Sequence, residues 1–167
     1  MIFRPQPFKL YNVIFPLWIA VFLPPYTLIP LLGNLIIDGL VITFTLKWNR
    51  VSLERKKLWG LIFKAWGFGF LADLVGVMIV LTTSVLLDRL TGYVLDYYFI
   101  WDDPVSVVFS LLVVAACGFL IFLFNRRLAK NAGLEEGIAL RMGLAMGIIT
   151  APWLFLIPSS LIYSQIS

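Results

Sequence analysis

Apolar side chains run along the chain in four long blocks separated by short polar stretches. Residues 26–46 form the first, interrupted by Asn34 and Asp38. Residues 59–87 form the second, interrupted by Lys64 and Asp73. Residues 105–124 carry no charge, and residues 138–157 carry only Arg141, near their start. About 20 helical residues cover a hydrocarbon core of ~30 Å, so each block is long enough to cross a membrane. The pattern predicts an all-α fold, a transmembrane helical bundle of four crossings in one membrane domain spanning residues 1–167. The second block exceeds the thickness of the core and must tilt or project beyond it.

The N-terminal stretch reads differently. A single helix over 12–46 would be ~52 Å long, so Pro24-Pro25 must break it: proline lacks an N–H and disfavours helix in the residue before it. The piece 12–23 is then ~18 Å, too short to cross. Phe3, Phe8, Tyr11, Phe15 and Trp18 suit the membrane boundary, and residues 1–25 are expected to form an interfacial or re-entrant segment. Arg4 and Lys9 leave open a fifth, irregular crossing. No small-x-small site follows the run, so it does not read as a cleaved leader.

Composition narrows the class. Hydrophobic residues make up 61% and charged residues 13%, and the mean hydropathy is +0.97. Polar groups are too few to cover a water-soluble globule, which excludes a soluble enzyme or a disordered chain. The net charge of +4 does not call for nucleic acid, because its distribution is topogenic. Lys47, Arg50, Arg55, Lys56 and Lys57 crowd the first connection, and Arg126, Arg127, Lys130 and Arg141 flank the third. The second holds Arg89 among Asp88, Asp96, Asp102 and Asp103. By the positive-inside rule, 47–58 and 126–141 are expected in the cytoplasm, with 88–104 and the C-terminus outside. With no His and a single Cys, a disulfide framework, a His/Cys zinc site and a His-ligated haem are excluded, and no cofactor or metal is expected.

Between helices in lipid, small residues permit the close backbone approach that drives association. Ala139, Gly143, Gly147 and Ala151 recur every four residues in the last block, and Gly69, Ala72 and Gly76 form a second stripe. Both are expected to be packing seams, either within the chain or between copies. Pro152 and Pro158 should kink or end the last helix.

The candidate chemistry lies in the polar residues inside the blocks. An ionisable group at bilayer depth costs ~2.5–3.5 kcal/mol on insertion scales and needs a partner or a wet cavity. Asn34 and Asp38 share a helix face at i, i+4, and Asp73 lies on the Gly69/Ala72/Gly76 stripe. Two readings stay open. Asn34, Asp38 and Asp73 could form one site that takes up a proton or a small cation, the amide supplying a neutral oxygen. Alternatively, Asp38 could pair with Lys64 or Arg141, with Asp73 capped by a neighbour, as structural glue. Cys117 reads as a small packing residue.

Two stretches resemble known families. Leu87-Asp88-Arg89-Leu90 followed by Gly92-Tyr93-Val94-Leu95-Asp96 is similar to a segment of lipoprotein signal peptidases, which activate water with two boundary aspartates. The resemblance implies Asp88 as the first of these. The Phe-Asn-x-Ala-Asp motif carrying the second is replaced here by Ile100-Trp101-Asp102-Asp103-Pro104. Phe15-Pro16-Leu17-Trp18, Trp66-Gly67-Phe68-Gly69-Phe70-Leu71-Ala72-Asp73 and Thr150-Ala151-Pro152-Trp153 resemble a group of small bacterial polytopic integral membrane proteins. That likeness implies placement in the inner membrane and no particular activity. The function classes carried forward are transport of a proton or small cation, a non-catalytic subunit or scaffold of a larger membrane complex, and a membrane aspartyl peptidase-like enzyme. Four crossings make a thin wall for a pore, so transport would favour a homo-oligomer.

Overall fold

A computed structural model describes residues 28–163; the expected interfacial or re-entrant segment, residues 1–25, lies outside the described residues. Four long helices follow one another: α1 Leu28–Trp48, α2 Arg55–Thr91, α3 Pro104–Asn131 and α4 Glu136–Ile149. A 3-10 turn at Ile100–Asp102 precedes α3, a second at Trp153–Leu156 follows α4, and a short α5 spans Ser160–Tyr163. No strand occurs among the described residues. The described part is all-helical and holds four segments long and apolar enough to cross a bilayer, which makes the chain a membrane protein. At 1.5 Å per residue, α2 is ~55 Å long and overhangs a ~30 Å core. The helices continue past the apolar blocks into the charged flanks, because Arg, Lys and Leu are good helix formers that lose little rotamer freedom there.

The helix ends follow from local chemistry. At the end of α3, Gly133 has φ +88°, its N–H donates to the Lys130 carbonyl (2.9 Å), and the Leu134 N–H donates to Ala129 (3.1 Å). This is a Schellman closure, with Leu134 and Ala129 both buried at its base. α1 ends the same way, through Arg50 N–H to Lys47 and Val51 N–H to Leu46. Here, however, the left-handed position is held by Arg50, at φ +56°. A side chain at that φ is strained by about 1 kcal/mol. Arg50→Gly is therefore expected to stabilise the protein by about that amount, read as a higher melting temperature in detergent.

The last helix ends ahead of Pro152, as the proline predicts. The α-helix stops at Ile149, three residues before Pro152. Proline at 152 cannot donate to the Ile148 carbonyl, four residues back. The Trp153 indole N–H takes that oxygen instead, at 2.9 Å. The apolar segment is completed by the Trp153–Leu156 turn, which buries Phe155.

The helices form a ring in which α3 packs most closely on α4, α2 on α3, and α1 against both α4 and α2. The α3–α4 seam explains the small-residue stripe. A Cβ on Gly147 would lie 2.6 Å from the Gly118 carbonyl oxygen, and one on Gly118 would meet the Gly147 oxygen at 2.6 Å. Gly143 lies against Phe122 in the same way, and Ala139 and Ala151 are buried beside them. The stripe is thus consumed inside the chain. The second stripe divides between two partners: Gly69 faces Asp38 of α1, whereas Gly76 lies against Cys117 of α3 and Phe155.

The acidic connection is a built cap. Asp103 is the N-cap of α3, accepting from the N–H groups of Val105 and Ser106, with Pro104 at the favoured first position. The Tyr93 hydroxyl donates to Asp103 Oδ1 (2.6 Å), and the Ser106 hydroxyl donates to Oδ2. The Asp96 carboxylate accepts from Tyr98 and Phe99 N–H. The N–H groups of Ser159 and Ser160 donate to the carbonyls of Tyr97 and Tyr98, tying the end of the described chain to this loop. Bonds from Ser106 and Tyr93 hold the Asp103 carboxyl below the ordinary carboxylate range. The charged form is thus favoured by folding, and its contribution is present above the unfolded pKa and lost as pH falls through the lowered folded value. Asp103→Ala should cost about 1 kcal/mol and flatten the acid limb of a melting-temperature against pH profile.

Candidate functional site

Asp38, Val41, Ile42, Thr45 and Leu46 form the buried stripe of α1, at the 3–4 residue spacing of one helix face. Asp38 is only 3% exposed, yet no ion pair or hydrogen bond to its carboxylate occurs among the described residues. It reaches across to α2, where the missing side chain of Gly69 leaves room: a Cβ there would stand 3.7 Å from Asp38 Oδ2. Asp73 lies one turn further along the same face of α2. Its Oδ1 is buried and has no hydrogen-bond partner. The Asp38 carboxylate thus lies about one helical turn from Asp73 along α2. Asn34, one turn before Asp38, is half-buried, and no hydrogen bond joins the two.

The cations that could have neutralised the pair lie elsewhere. Lys64 and Gly69 are five residues apart, about 140° around the helix, and the Lys64 side chain is exposed beside Gly67, Phe68 and Leu71. Arg141 donates from Nη1 to Asn49 Oδ1 at 2.7 Å, and α1 puts ~15 Å between Asp38 and Trp48, next to Asn49. The ion pairs among the described residues are those of Glu136 with Arg126 and Lys130.

A third contributor is not apparent from charge alone. The buried face of α3 carries Ser106, Ser110, Cys117 and Asn125, each 0% exposed. Their steps of 4, 7 and 8 residues place them on one helix face, a signal present in the sequence but hidden in a block without charge. The Cys117 thiol donates to the Ala72 carbonyl (3.4 Å), beside Asp73. Ser110 Oγ and Asn125 Oδ1 have no partner. The buried side-chain polar atoms without partners, among the described residues, are thus one on Asp73 and two on this face of α3. The hydroxyls at the far end of α2 are differently placed: Ser84 donates to Val80 O (2.7 Å) and meets the Tyr97 hydroxyl at 3.3 Å. Burial pushes the Tyr97 phenol up to about 12.

Of the boundary aspartates in the stretch that resembles the peptidases, two are engaged and two stand exposed. Asp96 and Asp103 spend their oxygens on backbone N–H, Tyr93 and Ser106, while Asp88 and Asp102 are exposed. No family model, characterised protein or solved structure matches this chain.

Proposed function

We propose that this protein binds protons inside the membrane and moves them across it, with Asp38 and Asp73 as the carrier pair and Asn34 as a neighbouring polar group. The observation that carries this reading is the pair itself: a buried Asp38 carboxylate seated at Gly69, one helical turn from the buried Asp73 Oδ1, with no cation paired to either among the described residues. Intramembrane carboxylates of this kind mark ion and proton pathways, because a buried charge without compensation is costly. A desolvated divalent cation asks for about six oxygen ligands, and the described residues contain no cluster of three or more His, Cys, Asp or Glu side chains. A proton needs only one oxygen at a time. Buried polar atoms without protein partners are ordinarily satisfied by water, and the row on α3 supplies such atoms on both sides of Cys117 along the helix. The proton route runs along this face. A proton passes between such groups without an open aqueous pore, so a single bundle suffices.

The distribution of basic residues supports an orientation with residues 47–58 and 126–141 in the cytoplasm and the acidic cap outside. To test the assignment, purified protein is reconstituted into vesicles and a pH step is imposed with the membrane potential clamped. Lumenal pH should relax faster than in empty vesicles, equally in sodium, potassium and choline salts, and Asp73→Asn should return it to the empty-vesicle rate. Relaxation at the empty-vesicle rate in the wild type, or strict dependence on one metal cation, contradicts proton carriage.

A further inference from the structure

A groove of about 700 Å³ separates α1 from α4, walled by Leu40, Phe44 and Trp48 on one side and Ala145 and Ile149 on the other, with Arg141 at its end. We propose that it is a binding site for an anionic phospholipid, an acyl chain lying in the groove and the phosphate seated on Arg141.

The walls are apolar and belong to two membrane-crossing segments, so acyl chains are the medium they face. From Leu40 to Trp48 the groove runs ~12 Å along α1, most of one ~15 Å leaflet. Its polar end is made for an anion. The Arg141 guanidinium uses one donor on Asn49 Oδ1, and Asn49 is held in turn by its own bond to the Thr45 carbonyl (2.7 Å). The planar fork is thereby oriented while its other N–H groups stay open, and no carboxylate pairs with it among the described residues. An oriented guanidinium suits a phosphate, which it can grip with two parallel bonds. Trp48, 74% exposed, stands at the same end, where an indole marks the membrane boundary. Lys47 and Arg50 flank it in the chain and add positive potential, which selects a net-negative headgroup over a zwitterionic one. A free phosphate would use Arg141 but not the groove.

The test is retention of lipid by the detergent-purified protein, measured by native mass spectrometry after exchange into mixed micelles of phosphatidylglycerol and phosphatidylcholine. Wild type should keep phosphatidylglycerol about fivefold over phosphatidylcholine, the value of one cationic contact. Arg141→Gln should cut the preference to the remainder that Lys47 and Arg50 supply, under about twofold. Ala145→Leu, which fills the groove with Arg141 intact, should lower retention of both lipids, and inorganic phosphate at matched concentration should not compete. Melting curves confirm that each variant is folded; should Ala145→Leu fail, Ile149→Ala, which widens the groove, must alter retention instead. Equal retention of the two lipids by wild type, an unchanged preference in Arg141→Gln, competition by inorganic phosphate, or a lipid-free dimer occupying this face would overturn the site.

Discussion

Asp73→Asn should melt at a higher temperature than the wild type while losing proton movement altogether. The substitution conserves shape and removes a carboxylate whose Oδ1 is buried without a partner among the described residues, one helical turn from the Gly69 position where Asp38 is seated. Desolvating an ionised group costs several kcal/mol, and an aspartate at bilayer depth carries ~2.5–3.5 kcal/mol on insertion scales. The neutral amide escapes most of that, although it remains a polar group in need of bonds. A gain of about 1–2 kcal/mol is expected, in the range of stabilising changes at sites kept for function. The check is a thermal melt in detergent alongside the vesicle assay. If Asp73 were glue, held by a bond to a neighbour, the same substitution would lower the melting temperature and leave transport unaffected. The two roles therefore predict opposite signs.

Gly147→Val should have the largest effect on folding. Its first added carbon would lie 2.6 Å from the Gly118 carbonyl oxygen and 2.9 Å from Phe122 Cβ, and a backbone oxygen inside a helix cannot step aside. The α3–α4 seam must open, a cost of about 3 kcal/mol or more. Gly118→Val should do the same from the other side. Gly137→Ala is the control: nothing lies within 4 Å of its Cβ, so helix propensity alone predicts a gain of about 0.5–1 kcal/mol. Melting temperature and exchange of backbone amides in α3 and α4 report these changes. Because the seam lies within the chain, the damage should appear as loss of folding of the single chain, with no dependence on protein concentration.

The four long apolar helices were legible because spacing and length alone decide them: ~20 apolar residues can hide their backbone polar groups in lipid only as helices. The stripes at 139–151 and 69–76 were legible for a similar reason, small residues at helical period, but their partners were not. Nothing local marks Gly118 as the residue against which Gly147 closes, since the pairing belongs to the tertiary register. The end of α4 at Ile149 was foreshadowed by Pro152, whereas the rescue of the Ile148 carbonyl by Trp153 depends on a side chain folding back. For the site, Asp38 and Asp73 stood out as acids in apolar blocks. Whether Lys64 or Arg141 would neutralise them turned on rotation about α2 and on a ~15 Å offset along α1, neither of which composition reveals. Ser110 and Asn125 were hidden because uncharged polar residues barely disturb hydropathy. Residues 1–25 lie outside the described structure, and their expected membrane-boundary placement stands as a sequence reading.

In the proposed function Asp38 and Asp73 act as one site. It is tested most directly by measuring proton flux in clamped vesicles for wild type, Asp38→Asn, Asp73→Asn and the double variant, each shown to be folded by its melting curve. Members of one unit are non-additive, so both single variants should fall to the empty-vesicle rate and the double variant should lose nothing more. Substantial flux in either single variant, or losses that multiply in the double, would show two independent carboxylates and contradict the account.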